Sequence, residues 1–270
     1  MKMKKLMGIG MAVLLSMSMV ACSGGNDTES AEKLDQIKES GKLVVGMSAD
    51  YPPFEFHSTA GGTDEIVGVD ADLAKAIAEE AGVEVEFKEM AFSGLVDSLK
   101  ADKVDMVISG MSPTPEREKQ VDFSDIYYTG HNVLVVRKGD ENTTKSDEDV
   151  KNMKLAVQKG SLQETYVTGL GCTSFKALEA IPDAMAELKN GNVDGVIVND
   201  TVGMINVNQI DGIALSAYEL PESETEESMA VAVNKGNNKA YLELINKVIE
   251  QFKADGLNKS LEENTALAAE

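Results

Sequence analysis

The nine residues SGMSPTPER at 109–117 follow an apolar run and end in an arginine. The planar guanidinium of Arg117 can hold a carboxylate through two parallel hydrogen bonds, which a lysine cannot do. Ser112 can donate a hydroxyl hydrogen bond, and Gly110 has no Cβ, so the backbone there can lie close to a ligand. The segment also fits a plainer description, in which its second proline starts a short helix and Arg117 makes a surface salt bridge. These residues alone leave both roles open.

The segments around this stretch alternate between strand and helix patterns. Branched apolar residues predict the strands, and a helix with Asp70 as its N-cap is indicated because Leu73, Ile77 and Ala81 share one face. This alternation predicts an α/β fold with parallel strands. Strands are expected at 42–47, 83–87, 104–108, from 133, and at 155–158, 193–198 and 229–233, with helices at 70–81 and 94–101 and a long amphipathic helix near the C-terminus.

Two loop-like crossings, at 129–132 and roughly at 218–227, connect the two α/β sets. Because the chain enters the second set and later returns, we expect two lobes with a cleft between them and a hinge of two segments. Ligands of open α/β sheets bind at the carboxyl ends of strands, and the segment that begins at Ser109 follows such an end.

The N-terminus has the pattern of a secretory signal peptide. A basic start, MKMKK, is followed by an apolar run and then by Ala21 and Cys22. The tetrapeptide MVAC at 19–22 resembles a bacterial lipobox, in which the cysteine is lipidated and becomes the mature N-terminus. An ordinary signal peptide with a chance cysteine is the alternative. We expect a lipoprotein signal peptide at 1–21 and a flexible, small and polar tether at 22–33.

Composition argues against several classes of function. A formal net charge of −21 disfavours nucleic-acid binding, because there is no basic stripe to neutralise phosphates. Cys172 is the second of two cysteines, so with Cys22 lipidated it has no disulfide partner and is expected to be a buried small apolar residue. His57 and His131 lack metal-ligand spacing, and we expect neither a metal nor another cofactor.

The chain resembles the extracellular solute-binding proteins of family 3, which serve polar amino-acid uptake. Six motifs carry the resemblance and occur in family order: ADYPPFEF (49–56), IVGVDADLAKAIA (66–78), FSGLVDSLKADKVDMVISGMSPTPER (92–117), VDFSDIYY (121–128), VQKGSLQE (157–164) and NVDGVIVND (192–200). The resemblance implies the type II periplasmic-binding-protein fold. We expect lobe 1 at 34–129 and 225–270 and lobe 2 at 130–224.

The resemblance also implies roles for the opening segment. Arg117 would grip the α-carboxylate of an amino acid, with Ser112 and the backbone at Ser109 and Gly110 assisting. The second lobe would add Ser161 and Leu162, because the start of a helix attracts anions. An N-cap role fits Ser161 equally well.

The ligand's side chain is expected between two aromatic rings. Tyr51 and Phe92 match the flanking positions of the family, and flat faces suit a guanidinium, an ammonium or a planar amide. Core packing is the better expectation for Phe54. Ser48 stands where some cation-binding relatives place an acid, so it supplies no countercharge to a basic ligand.

The partner of the ligand's α-ammonium group is expected at the end of the 193–198 strand. Most relatives have an aspartate there, whereas this chain has Asn199 followed by Asp200. Successive side chains of an extended segment point to opposite faces, so the two residues do not face the ligand equally. We expect Asn199 to make the contact, with Asp200 as the alternative or as a helix N-cap.

The predicted function is that of a substrate-binding lipoprotein. It would capture an extracellular amino acid, polar or basic, and deliver it to an ABC permease, as a monomer held at the membrane only by its lipid anchor. One alternative is a carboxylic-acid dehydratase on the same fold, but no histidine falls in the binding motifs, and Glu55, a possible acid, has no obvious partner. Another is a sensor acting through a membrane partner.

Overall fold

The computed structural model describes residues 32–221 and 226–269. Cys22, the signal peptide and nearly all of the tether lie outside these residues, as does the proposed lobe boundary between residues 224 and 225. The strands are β1 (Lys42–Met47), β2 (Asp50–Tyr51), β3 (Glu55–Ser58), β4 (Glu65–Val67), β5 (Glu84–Glu89), β6 (Met106–Val107), β7 (Val121–Arg137), β8 (Leu155–Gln158), β9 (Phe175–Leu178), β10 (Gly195–Asn199), β11 (Ile213–Leu215) and β12 (Glu226–Asn234).

Helices follow most strands, as the alternating pattern predicts. They are α1 (Lys33–Ser40), α2 (Val69–Ala81), α3 (Leu95–Lys100), α4 (Pro115–Glu118), α5 (Asp147–Asn152), α6 (Leu162–Leu170), α7 (Ile181–Lys189), α8 (Asp200–Gln209), α9 (Lys239–Gln251) and α10 (Leu257–Ala268). A 3₁₀ turn at Phe92–Gly94 precedes α3. None of the helices in the described ranges combines the length and the apolar character needed to cross a lipid bilayer.

The main sheet has the order β5-β1-β6-β12-β7-β10-β8-β9, with β11 also paired to β7. Strands β5, β1 and β6 are parallel in lobe 1, and β10, β8 and β9 are parallel in lobe 2. The antiparallel strands β7 and β12 connect these two groups. The protein therefore has the two-lobed α/β fold with a two-segment hinge that the sequence predicts.

Strand β7 differs from the sequence prediction. The strand expected from residue 133 is the second half of one 17-residue strand that begins at Val121. Its first part pairs with β12 as far as His131, and its second part pairs with β10 from Asn132 onward. A single strand thus serves both lobes, so the crossing expected as a loop at 129–132 is a continuous stretch of sheet.

Apolar faces of the helices bury the two sides of the sheet. In lobe 1, α2 and α9 pack their stripes on the strands, with Ile77 and Ile245 fully buried, as the helical periodicity predicts. In lobe 2, Leu134, Leu155 and Ile197 form a cluster that includes Cys172. Cys172 is buried, so the prediction that it packs as a small apolar residue is confirmed.

The expected N-cap role of Asp70 is wrong. Helix α2 begins at Val69 after Gly68, whose φ of 127° brings the backbone so near that a Cβ would lie 2.1 Å from the Phe54 carbonyl oxygen. Asp70 therefore falls within the first turn and is fully buried. Its carboxylate accepts hydrogen bonds from the Gly110 amide at 2.8 Å and the Tyr127 hydroxyl at 2.8 Å. This aspartate fixes the loop after β6 and does not cap its own helix.

Candidate functional site

A small polar cavity lies in the cleft between the two lobes. Eight of the eleven ligand-binding residues proposed from sequence line it. They are Tyr51, Phe92, Ser109, Gly110, Ser112, Arg117, Ser161 and Leu162. Residues of both lobes therefore meet at one small polar site.

Arg117 lies at the centre of this site. Thr114 caps α4 by accepting a hydrogen bond from the Arg117 amide at 3.3 Å, so the segment does start a short helix. The side chain points into the cleft, where its guanidinium donates to the Ser112 carbonyl at 2.7 Å and, across the cleft, to the Gly160 carbonyl at 2.9 Å. The ion pairs among the described residues do not include Arg117, so the surface salt bridge offered as the alternative is not formed.

The Arg117 side chain is charged and directed towards the cavity. Its guanidinium carbon lies 5.3 Å from the centre of the Phe92 ring, within range of a cation–π interaction. Burial lowers the pKa of Arg117 to about 10, so the side chain remains a cation at neutral pH. Two of its five N–H donors are taken by carbonyls, which leaves a charge-assisted donor group facing the cavity.

The loop from Ser109 to Ser112 contributes backbone and serine hydroxyl groups to the cavity lining. Gly110 has a φ of 53°, a left-handed conformation that glycine adopts without strain, and it lies against the Tyr51 ring. Ser112 Oγ is buried without a hydrogen-bond partner, so its hydroxyl is available to a ligand. Ser109 Oγ is already engaged, because it donates to Glu55 Oε1 at 2.8 Å and accepts from the Ser48 amide at 3.0 Å.

The start of α6 forms the opposing wall. Ser161 caps this helix by accepting from the Glu164 amide at 3.1 Å, and its hydroxyl donates to the Gln158 carbonyl at 2.6 Å. Ser161 also lines the cavity with Leu162, so the capping role and the position in the site occur together. The positive end of the helix dipole therefore faces the cavity on the side of Arg117's partner Gly160.

The aromatic residues divide as the sequence predicts. Tyr51 and Phe92 are buried and line the cavity. Phe54 is fully buried outside the lining and packs edge-on against Tyr128, with ring centres 4.9 Å apart. Two aromatic faces thus border the site, and the third ring belongs to the core.

Three of the proposed site residues do not line the cavity. Ser48 is buried and donates to Asp50 Oδ1 at 3.2 Å. Asn199 is fully buried and caps α8, because its Oδ1 accepts from the Thr201 amide at 3.0 Å. Asp200 is the first residue of that helix, and its Oδ1 accepts from the same amide at 2.7 Å. The capping role expected for Asp200 therefore belongs mainly to Asn199.

Two carboxylic acids at the cavity were not proposed as ligand-binding residues. Glu55 is fully buried, with Oε2 unpartnered, and burial together with repulsion from Asp70 raises its pKa well above the ordinary value. Glu227 is also buried, and burial raises its pKa to about 7. Glu227 lies in an acidic stretch at 220–228, where only the inward-outward alternation of a strand could have distinguished it from the adjacent, exposed Glu226.

Glutamine side chains complete the cavity wall from lobe 2. Gln163 Nε2 donates to Glu227 Oε1 at 3.2 Å and to Asn132 Oδ1 at 2.6 Å. Gln158 also lines the cavity, and its Nε2 lies 3.5 Å from Asp50 Oδ1. Amides of this kind offer hydrogen bonds to a polar ligand without adding charge.

Asp50 connects the lobes beside the cavity. Helix α7 begins after Ala180, which has no side-chain cap of its own. Asp50 Oδ2 accepts from the Ile181 amide at 2.9 Å, so a lobe 1 carboxylate caps a lobe 2 helix. A second contact across the cleft runs from Ser93 Oγ to Glu179 Oε2 at 2.8 Å. The structure is therefore a closed arrangement, with polar contacts between the lobes at the start of α7.

Known proteins resemble this chain over most of its length. The model of the bacterial extracellular solute-binding proteins, family 3, matches residues 43–264. The arginine-binding extracellular protein ArtP of Bacillus subtilis (strain 168) is 36% identical over 259 residues, which is 94% of each chain. ABC transporter arginine-binding protein 1 of Escherichia coli (strain K12) is 36% identical over 218 residues, covering 80% of this chain and 86% of its own length.

A solved structure shows the same architecture. The amino acid ABC transporter substrate-binding protein AbpA from Streptococcus pneumoniae Canada MDR_19A, bound to L-arginine, superposes with a TM-score of 0.83 at 37% identity. The match covers 87% of this chain and 99% of that one.

Proposed function

The chain belongs to the bacterial extracellular solute-binding proteins of family 3, and from that premise we propose that it captures a cationic amino acid, with arginine as the first candidate, for an ABC uptake transporter. Arginine is the ligand in the names of both curated relatives compared above and in the solved structure. The chemistry of the cavity gives an independent reason for the same choice.

The observation that carries the proposal is the distribution of charge in the cavity. Among the lining residues that the structure describes, Arg117 is the one base, and Glu55 and Glu227 are two acids. An amino acid with a basic side chain carries one carboxylate and two cationic groups, which is the complementary set. Buried carboxyl groups without a cation have raised pKa values, and a bound cation would lower them again.

The unpartnered atoms support the same ligand. Ser112 Oγ, without a hydrogen-bond partner, lies beside Arg117, and Glu55, whose Oε2 is also without one, pairs with Tyr51 between β2 and β3. A ligand carboxylate would receive hydrogen bonds from Arg117, Ser112 and the start of α6. A planar guanidinium would lie between Tyr51 and Phe92, where flat faces and the ring quadrupole favour it.

Ser48 need not supply the countercharge. The sequence argument against a basic ligand depends on the neutral serine at this position. In the structure Ser48 is outside the lining, and the negative groups come from β3 and β12 instead. The missing acid at residue 48 is therefore no objection to a cationic ligand.

The lipid anchor, the location and the monomeric state are proposed from the sequence. Lipidation at Cys22 would hold the protein on the extracytoplasmic face of the membrane, with delivery to a permease by a monomer. The relatives compared above are binding proteins, and we assign binding without catalysis to this chain as well. Formation of product from a prephenate-like acid would contradict that assignment.

Calorimetry on refolded protein tests the proposal. Unfolding and refolding first removes any ligand carried through purification, after which arginine, lysine, glutamine and glutamate are titrated separately. We expect arginine to bind at least about tenfold more tightly than glutamine, because a charge-assisted hydrogen bond contributes about 1.5–3 kcal/mol. Tighter binding of glutamate, or no binding of any amino acid, would overturn it.

A further inference from the structure

Two buried carboxylic acids hold the loop from Ser109 to Ser112. Glu55 on β3 accepts a hydrogen bond from Ser109 Oγ at 2.8 Å, and Asp70 on α2 accepts one from the Gly110 amide at 2.8 Å. Both acids are buried in lobe 1. Because Ser109 and Gly110 are adjacent and both line the ligand cavity, the two acids together fix the position of this part of its wall.

The hydrogen-bond donors to the two acids are neutral groups. Besides Ser109 and Gly110, the Tyr127 hydroxyl donates to Asp70 Oδ1 at 2.8 Å. The ion pairs found within residues 32–221 and 226–269 include neither Glu55 nor Asp70. Two ionised carboxylates that meet out of water without a counter-ion repel each other strongly. The buried pair therefore holds a proton.

The hydrogen bonds indicate which acid carries this proton. Both Asp70 oxygens accept from neutral donors, which favours its ionised form. Glu55 Oε2 is buried and receives no hydrogen bond from a donor of the described residues, yet the carboxyl groups of Glu55 and Asp70 meet in hydrogen-bonding contact. Two acceptors form such a contact only when one of them is protonated. A proton on Glu55 Oε2 supplies the donor.

We infer that Glu55 and Asp70 share one proton beside the ligand cavity, and that capture of a cationic amino acid expels this proton. The inference rests on the proposed function, in which the ligand's guanidinium lies against Tyr51. Glu55 lines the cavity and pairs in register with Tyr51 between β2 and β3, whereas Asp70 is outside the lining.

The ligand's side-chain charge takes the place of the proton. A guanidinium brought against Glu55 stabilises its ionised form, so the O–H bond breaks and the proton passes to water. Both acids are then ionised, with the guanidinium as their counter-ion. A ligand with a neutral side chain leaves the proton on Glu55. Capture of a cationic ligand is thus favoured by higher pH, and acid opposes it.

Other titratable groups surround the pair. Burial raises the pKa values of Tyr51 and Tyr127, so both phenols keep their protons at neutral pH, and Arg117, with its pKa at about 10, stays charged. Burial also raises the pKa of Asp50, which caps α7 outside the cavity lining. Glu227 lines the cavity with a pKa of about 7, so its proton has to be separated from that of the pair.

The first test compares L-arginine with L-citrulline, whose side chain has nearly the same shape and no charge. Both ligands carry an α-carboxylate and an α-ammonium, so those groups contribute equally. Calorimetry at about pH 6, in buffers of different ionisation enthalpy, measures the protons exchanged on binding, and arginine should release up to about one proton more than citrulline. Equal release with the two ligands would overturn the inference.

Glu55→Gln places an amide where the protonated acid stands. Its oxygen still accepts from Ser109 and its NH₂ group donates to Asp70, so we expect the variant to fold with the loop in place. Wild-type affinity for arginine should rise with pH, by up to about tenfold per unit around pH 6, and this slope should fall in Glu55→Gln. Glu65→Gln is the matched control, because it removes a carboxylate from an exposed site on β4 and should keep the wild-type slope. An unchanged slope in Glu55→Gln would contradict the exchange, and this measurement needs no analogue.

Asp70→Asn tests which acid carries the proton. An amide keeps one accepting oxygen, whereas Asp70 serves the Gly110 amide, the Tyr127 hydroxyl and Glu55. Asp70→Asn should therefore lower the melting temperature and weaken the binding of both ligands, while Glu55→Gln should leave the melting temperature at pH 6 unchanged or higher. The opposite order would place the proton on Asp70 and refute the assignment.

Glu227→Gln separates the other acid of the cavity. The excess proton release with arginine should persist in this variant. Its loss here, with retention in Glu55→Gln, would assign the proton to Glu227 and overturn the inference. Binding of arginine by the wild type without excess proton release would overturn this inference alone, whereas failure to bind any amino acid would overturn the proposed function as well.

Discussion

Removal of the Arg117 guanidinium should weaken ligand binding through two separable effects. The first is loss of the charge-assisted pair with the ligand carboxylate, which would stay buried near Glu55 and Glu227. The second is loss of the hydrogen bond to the Gly160 carbonyl, which holds the lobes together at 2.9 Å. Truncating one partner of a buried charge pair costs about 2–5 kcal/mol, which corresponds to about 30-fold to several thousandfold in affinity.

Two ligands separate these effects. Agmatine is arginine without its carboxylate, so its affinity reports only the contribution of Arg117 to closure. In Arg117→Ala we expect the affinity for arginine to fall by the full amount and the affinity for agmatine to fall much less, or even to rise as a nearby positive charge is removed. Arg117→Lys should lie between wild type and alanine for arginine, because the charge stays and the bidentate geometry is lost.

The control for this series is Lys119→Ala. Lys119 is exposed in the same segment and, within the part of the chain that the structure describes, pairs with Glu116 at 4.0 Å, so its removal changes the net charge equally without touching the cavity. Circular dichroism and thermal melts would confirm that each variant is folded. If arginine and agmatine lose affinity by the same factor in Arg117→Ala, the residue acts only through closure and the carboxylate assignment is refuted.

Three further predictions follow from the cleft, the buried acids and the N-terminus. Asp50→Ala removes the cap that lobe 1 provides to α7, so arginine affinity should fall by roughly 2- to 30-fold, as expected for loss of an N-cap. Small-angle scattering should then show fewer closed molecules. Unchanged scattering and affinity would contradict this role of Asp50. Burial raises the pKa of Glu55 and that of Asp70, the latter to about 6. Because these folded-state values exceed the unfolded ones, their contribution to stability is present at low pH and is lost as pH rises through about 6. The melting temperature of ligand-free protein should therefore rise as pH is lowered through that range, and a similar rise in Glu55→Gln would count against the acid pair as its source. Cys22→Ala should abolish lipidation and move the protein out of the membrane fraction, whereas unchanged membrane association would show that the anchor lies elsewhere.

Local sequence was sufficient to predict several secondary-structure elements and part of the candidate site. The periods of apolar residues placed β1 and β8 correctly and α2 to within one residue, because burial of one face imposes these periods on any chain. Arg117, Ser112 and Gly110 were found together because they lie within eight residues of one another on a single loop. Their closeness follows from the short loop, so the sequence groups them without knowledge of the rest of the fold, although Asp70 holds the loop in place.

Other features depended on contacts between distant parts of the chain. Glu227 reaches the cavity because β12 returns beside β7, which sets it against Tyr51, 176 residues away in the sequence. Asp70 does not cap α2, because the helix already begins at Val69, after the close approach of Gly68 to Phe54. The Asp70 carboxylate accepts a hydrogen bond from the Gly110 amide instead. No local pattern encodes such pairings. The sequence by itself determined which loop could hold a carboxylate and which rings could border the site, since those properties depend on neighbouring residues. The tertiary structure alone decided which of the many acidic residues share the buried cavity, because burial of a charge is a property of the assembled lobes.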